Sequence, residues 1–96
     1  MKIIAMIAAL CAAPAFGQDM YCAQRGIVMD NLEQLFGEVS IGYGHEYRGA
    51  VIEVYVSRYA TWTLVITRPD GISCELAGGT DWVFIEQPWP NLDEEG

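Results

Sequence analysis

Reactive side chains are few and scattered in this 96-residue chain. His45 is its one histidine, set in Gly44-His45-Glu46-Tyr47. With Glu46 and Asp30 it would make a sparse metal site, but zinc centres take three or four protein ligands, usually with several His or Cys. No metal ligand is therefore assigned, and His45 reads as a strand-end or loop histidine. A Cys–His nucleophile pair needs a free thiolate, which pairing of Cys22 with Cys74 would remove. Ser40, Ser57 and Ser73 lack the context of a nucleophile elbow. Glu53 and Glu75 could face each other across a sheet, yet paired carboxylates hydrolyse glycosides only in a cleft around a sugar. Gly42-Tyr43-Gly44 has neither the lysine nor the following helix of a phosphate loop. These residues name no catalytic group and no cofactor, and the expectation is a protein that is not an enzyme.

The first residues read as a targeting segment. Met1-Lys2 is a minimal positive start, and Ile3 to Ala13 is an unbroken apolar run of 11 residues. That run is too short to cross about 30 Å of hydrocarbon as a helix. It fits a secretory signal peptide ending in small residues. Cleavage after Gly17 uses Ala15 and Gly17; cleavage after Ala15 uses Ala13 and Ala15. The first is preferred, giving a signal peptide over 1–17 and a periplasmic or secreted protein. Cys11 is a poor lipidation site, because Leu10 precedes it and it lies inside the apolar run.

Export frames the remaining cysteines and the charge. Cys22 and Cys74 are an even pair, which in an oxidising compartment reads as a disulfide rather than two buried thiols. Closing that loop would contribute about 4 kcal/mol by the chain-entropy model. A domain this small builds a marginal core, so such a staple matters. Acids outnumber bases 13 to 5, a net charge of −8. Loss of Lys2 with the leader leaves Arg25, Arg48, Arg58 and Arg68 and takes the net charge to −9. That balance excludes nucleic acid, which needs a basic footprint, and argues against anionic lipid. No membrane contact is expected after signal cleavage.

The elements that must position these groups follow from periodicity. Asp19 can cap a helix beginning near Met20 to Cys22. Val28, Met29, Leu32, Leu35 and Phe36 share one helical face, and Gly37 stands where a left-handed cap ends the helix. From Glu38 the period becomes two. Val39, Ile41 and Tyr43 alternate with Ser40, Gly42 and Gly44 in a glycine-rich, irregular strand. Ile52 and Val54, Leu64 and Ile66, and Ile72, Cys74 and Leu76 form a second set of alternating positions. Pro69-Asp70-Gly71 is a hairpin turn and Arg58-Tyr59-Ala60 another. A last short strand is expected over Trp82 to Glu86, and residues 88–96 form an acidic, disordered tail.

The predicted fold is α+β: one N-terminal helix packed on an antiparallel β-meander of four or five strands, stapled by one disulfide, in a single domain over 18–87. The helix should meet the face bearing Ile52, Val54, Leu64, Ile66, Ile72 and Leu76. Cys74 points to that face, within reach of Cys22 at the helix start. The opposite face, with Thr61, Thr63, Val65, Thr67, Tyr55 and Val51, would then be flat, threonine-rich and partly apolar. Ordinary solvated strand composition explains it; so does a contact face for a partner or a second copy.

Cys22, Leu32, Phe36-Gly37-Glu38, Gly49, Trp62-Thr63, Pro69-Asp70-Gly71-Ile72-Ser73-Cys74 and Gly79 before Trp82 together resemble a group of small exported bacterial proteins of unassigned function. The resemblance covers most of the chain beyond the leader. It implies export and this compact fold, and it carries over no catalytic residue. The functional expectation is a small exported acidic binding module, non-catalytic, contacting a cationic protein partner. The rival is a structural or accessory subunit that forms a homodimer through its threonine-rich sheet face.

Overall fold

A computed structural model of the chain describes residues 20–89. The proposed leader and the acidic end of the tail lie outside the described residues. The elements are β1 (Cys22–Gln24), α1 (Arg25–Phe36), β2 (Val39–His45), β3 (Val51–Val56), β4 (Trp62–Thr67) and β5 (Ile72–Gly79). The five strands form one antiparallel sheet in the order β1-β5-β4-β3-β2. This is the expected α+β architecture, one helix on a meander, with the Cys22–Cys74 disulfide in place.

Local sequence explains most of the boundaries. α1 ends at Gly37, which takes φ 68°; the N–H of Gly37 donates to the Glu33 carbonyl and that of Glu38 to the Leu32 carbonyl. Carbonyls freed at the helix end are thus satisfied by a left-handed cap. Gly71, at φ 92°, closes the β4–β5 hairpin. Asp70 supports that turn by accepting from the Ile72 N–H at 3.0 Å. β2 carries the foreseen irregularity, a register shift between Ser40 and Gly42.

The helix starts later than periodicity suggests. Cys22–Gln24 is a strand, paired with β5 through Cys22–Cys74, Ala23–Ser73 and Gln24–Ile72. Helix begins only at Arg25, and Gln24 provides no side-chain cap. Of the proposed apolar helix face, Val28 and Leu32 are buried, while Met29, Leu35 and Phe36 are exposed. Residues 81–87 are irregular rather than a sixth strand.

The larger correction concerns which sheet face the helix covers. The core is Val28, Leu32, Tyr55 and Val65, with Ala23 packed against it. Tyr55 and Val65 therefore lie under α1, together with buried Thr63 and Ser73. Strict alternation in β3 and β4 sends Ile52, Val54, Leu64 and Ile66 to the other face, where they are partly buried. Cys74 stands opposite Ile66, and Cys22 opposite Cys74, so the disulfide lies on that same outer face. A bridge between neighbouring strands asks only that both cysteines share a face. It therefore says nothing about where the helix packs.

Candidate functional site

The proposed contact face of Val51, Tyr55, Thr61, Thr63, Val65 and Thr67 is the face beneath α1, not an open surface. Tyr55 and Val65 are 2% and 1% exposed and belong to the core. Thr67 exchanges a 2.6 Å hydrogen bond with Ser73, and Thr61 one of 2.7 Å with Ser57. The physical reason is the ionic network that this face carries.

Glu53 is a carboxylate with 2% exposure in the middle of β3. Arg25, the first residue of α1, grips it with both arms: Nε donates to Oε1 at 3.1 Å and Nη2 to Oε2 at 2.8 Å. The Ser40 hydroxyl donates to Oε2 at 2.9 Å and the Tyr55 hydroxyl to Oε1 at 3.3 Å. Burial alone would push the Glu53 carboxyl up, but Arg25, Ser40 and Tyr55 together hold it below the usual carboxylate value. Burial, and then the charge of Glu53, push the Tyr55 phenol up to about 12. Such a bidentate pair fixes geometry as well as charge. It pins the start of α1 to this face, so a carboxylate in a strand is the reason the helix chooses the more polar side.

The far end of α1 is built differently. Where the chain leaves the Gly37 cap, Glu38 turns back toward the sheet and is 2% exposed. Its Oε1 has no hydrogen-bond partner among the described residues. Glu38 lines an open cleft of about 520 Å³ whose walls include Met20, Tyr21, Phe36, Thr61, Thr63 and Glu75. Burial, and then the charge of Glu38, raise the Glu75 carboxyl above its ordinary value. Gly78, paired opposite Thr63, fits a tight stretch of the wall: a Cβ there would stand 3.0 Å from the Trp62 carbonyl oxygen and 3.5 Å from Thr63 Oγ1. The cleft therefore joins two mutually repelling carboxylates, threonine hydroxyls and an apolar rim.

Of the residues singled out from sequence, Thr61, Thr63 and Glu75 reach this cleft. Val51, Thr67 and Glu53 border a smaller one of about 220 Å³ beside Arg25. Glu53 and Glu75 are not cross-strand partners, because each stands opposite Val65 from a different side. His45 sits on exposed β2, edge-on to Tyr43 at 5.9 Å between ring centres. Among the described residues, no three His, Cys, Asp or Glu side chains come together as metal ligands. Glu38 was not visible as a site residue, because an acid just past a helix end ordinarily reads as solvated. Glu53 did carry a signal, a lone charge within the run Val51–Val56.

The arginines show how acidity is distributed. Arg25 pairs with Glu53, Arg48 with Glu46 at 2.6 Å and Arg68 with Asp70 at 2.8 Å. None of these guanidinium groups borders the Glu38 cleft. No family model, curated protein or solved structure matches the chain.

Proposed function

We propose that this protein is an exported, acidic, non-catalytic binding module, periplasmic or secreted, that contacts a cationic protein partner. The observation that carries the reading is the assignment of its cations. Arg25, Arg48 and Arg68 are committed to internal carboxylates, in a chain of net charge −8. What remains facing outward is negative in balance, with Arg58 the one exposed arginine in no ion pair among the described residues, and a negative field speeds encounter with a positive partner. The cross-strand disulfide suits an oxidising compartment, and the resemblance to small exported bacterial proteins points the same way.

The test is capture from the periplasm or medium with the oxidised chain, followed by on-rates at rising salt. The strongest partner should be cationic, and association should slow as the Debye length falls from about 30 Å at 0.01 M to about 8 Å at 0.15 M. An anionic partner, or an on-rate indifferent to salt, overturns the proposal.

A second reading, self-association, moves to a different surface from the one expected. The sheet face away from α1 bears partly buried Ile52, Val54, Leu64, Ile66 and Ile72 with no charged side chain between them, which suits face-to-face packing of two copies. Sedimentation across micromolar concentrations separates the two: a monomer favours the cationic partner, a dimer the self-pairing.

A further inference from the structure

We infer that the Glu38 cleft receives a single organic cation on an aliphatic stem, an alkylammonium or guanidinium group of the kind that ends a lysine or arginine side chain. This rests on the reading of the chain as an acidic binding module and names where that module makes contact.

Three features of the cleft carry the inference. The first is Glu38 itself, 2% exposed with Oε1 unpartnered among the described residues. An ionised carboxylate is costly to bury without a partner, and each unsatisfied buried group in a native protein calls for an explanation. Glu53, equally buried, has its arginine and two hydroxyls; Glu38 has the cleft. The second is Glu75, which lines the same cleft and whose carboxyl is pushed up by burial and by Glu38. Two carboxylates that repel each other both gain when one cation settles between them. The third is the rim. Met20, Tyr21 and Phe36 offer apolar and aromatic surface, which suits methylene groups and the face-on approach of a cation to a ring.

Size and ligand count favour an organic cation over a metal ion. Calcium takes six to eight oxygen ligands built around several carboxylates; the cleft offers two carboxylates with threonine hydroxyls, and no three acidic, His or Cys side chains gather as metal ligands among the described residues. A volume of about 520 Å³ accommodates a chain of several carbons behind its charged head.

The experiment is an amide-resolved NMR titration of the oxidised, exported chain with n-butylammonium, the peptide Gly-Lys-Gly, neutral n-butanol and calcium. Butylammonium and the peptide should shift the amides of Thr63, Glu75 and Gly78 saturably, and butanol should not. Glu38→Gln should weaken both at least about tenfold with the rest of the spectrum unchanged. Should Glu38→Gln fail to fold, Glu75→Gln, at a partly exposed position, must show the loss instead. Equal or tighter binding of Gly-Lys-Gly identifies a protein side chain as the source; a response to butylammonium alone identifies a free amine. Butanol binding as well as butylammonium, calcium occupying the cleft in preference to both, or a Glu38→Gln chain that binds like the parent each overturn the inference. Salt-dependent capture of one cationic protein by both parent and Glu38→Gln would overturn the cleft and leave the broader reading standing. Butylammonium in the cleft with no cationic protein captured would do the reverse.

Discussion

Glu53 and Glu38 stand at opposite ends of α1, both 2% exposed, and they have opposite fates. Glu53 is saturated by Arg25, Ser40 and Tyr55. Glu38 keeps a free oxygen over a cleft. One carboxylate orders the fold and the other is left buried and unpartnered beside a cleft. Burial of a charge alone therefore does not reveal a role; the list of its partners does.

Substitution should separate the two most sharply. Arg25→Met leaves Glu53 buried without its cation and should cost about 2–3 kcal/mol in urea unfolding, moderated because the guanidinium is half exposed. Glu38→Gln replaces a buried, unpartnered carboxyl with a neutral amide and should stabilise by up to about 1 kcal/mol. If Glu38→Gln proved the costlier change, the contrast between the two ends would collapse.

Acid titration of stability reads the same contrast with a smaller amplitude. The Glu75 carboxyl, beside Glu38 and Tyr21 in the cleft, is raised by burial and then by Glu38. Its ionised form costs stability near neutral pH, and that penalty fades as pH falls through the raised value toward the unfolded one near 4.3. Glu53 is depressed overall, as are Glu46 and Asp70 beside their arginines. Their contribution is full above the unfolded value and is lost as pH falls through the lowered ones. Stability should therefore rise gently as pH falls through the raised Glu75 value and then drop as pH falls through the lowered values of Glu53, Glu46 and Asp70. Glu75→Gln should flatten the upper limb and Arg25→Met should reduce the lower drop. A monotonic loss from pH 7 downward would contradict the burial of charge in the cleft.

The smallest effect belongs to an ion pair that lacks the burial and the two-armed grip of Arg25–Glu53. Arg48 is 90% exposed against Glu46, and Arg48→Ala should leave the melting temperature unchanged, because solvent screens such pairs. A measurable shift there would weaken the claim that burial, not pairing, gives Arg25 its importance.

Much of the fold was legible from residues, and the miss has a definite cause. Gly37 and Pro69-Asp70-Gly71 act locally, through backbone conformations few other residues adopt, so their turns appear where expected. Alternation in β3 and β4 also gave the correct period. It could not say which face lies inward, and the richer apolar set, Ile52, Val54, Leu64 and Ile66, pointed the wrong way. The decisive contact, Arg25 to Glu53, links positions 28 residues apart, and no local pattern announces it. The cysteines point to the wrong face only if Cys22 stands at the helix start; on β1 it shares the outer face with Cys74. The cleft was half visible, through Thr61, Thr63 and Glu75. Its key member, Glu38, owes its burial to the packing of the segment after Gly37 against the sheet, a tertiary event that the local turn does not announce.

The Cys22–Cys74 bridge also sets how the molecule would wear in the presence of proteases. It ties the first strand to the last, 52 residues apart, and encloses α1, β2, β3 and β4 in one covalent ring. The most exposed turn within that ring carries Tyr47, which is fully open to solvent, and exposed loop tips are preferred sites of nicking. A single cut there would open the ring yet release nothing, since both pieces stay joined through sulfur and through the sheet. A cut beyond Cys74 has no such insurance, so the aromatic segment from Trp82 onward is the part the protein would shed first.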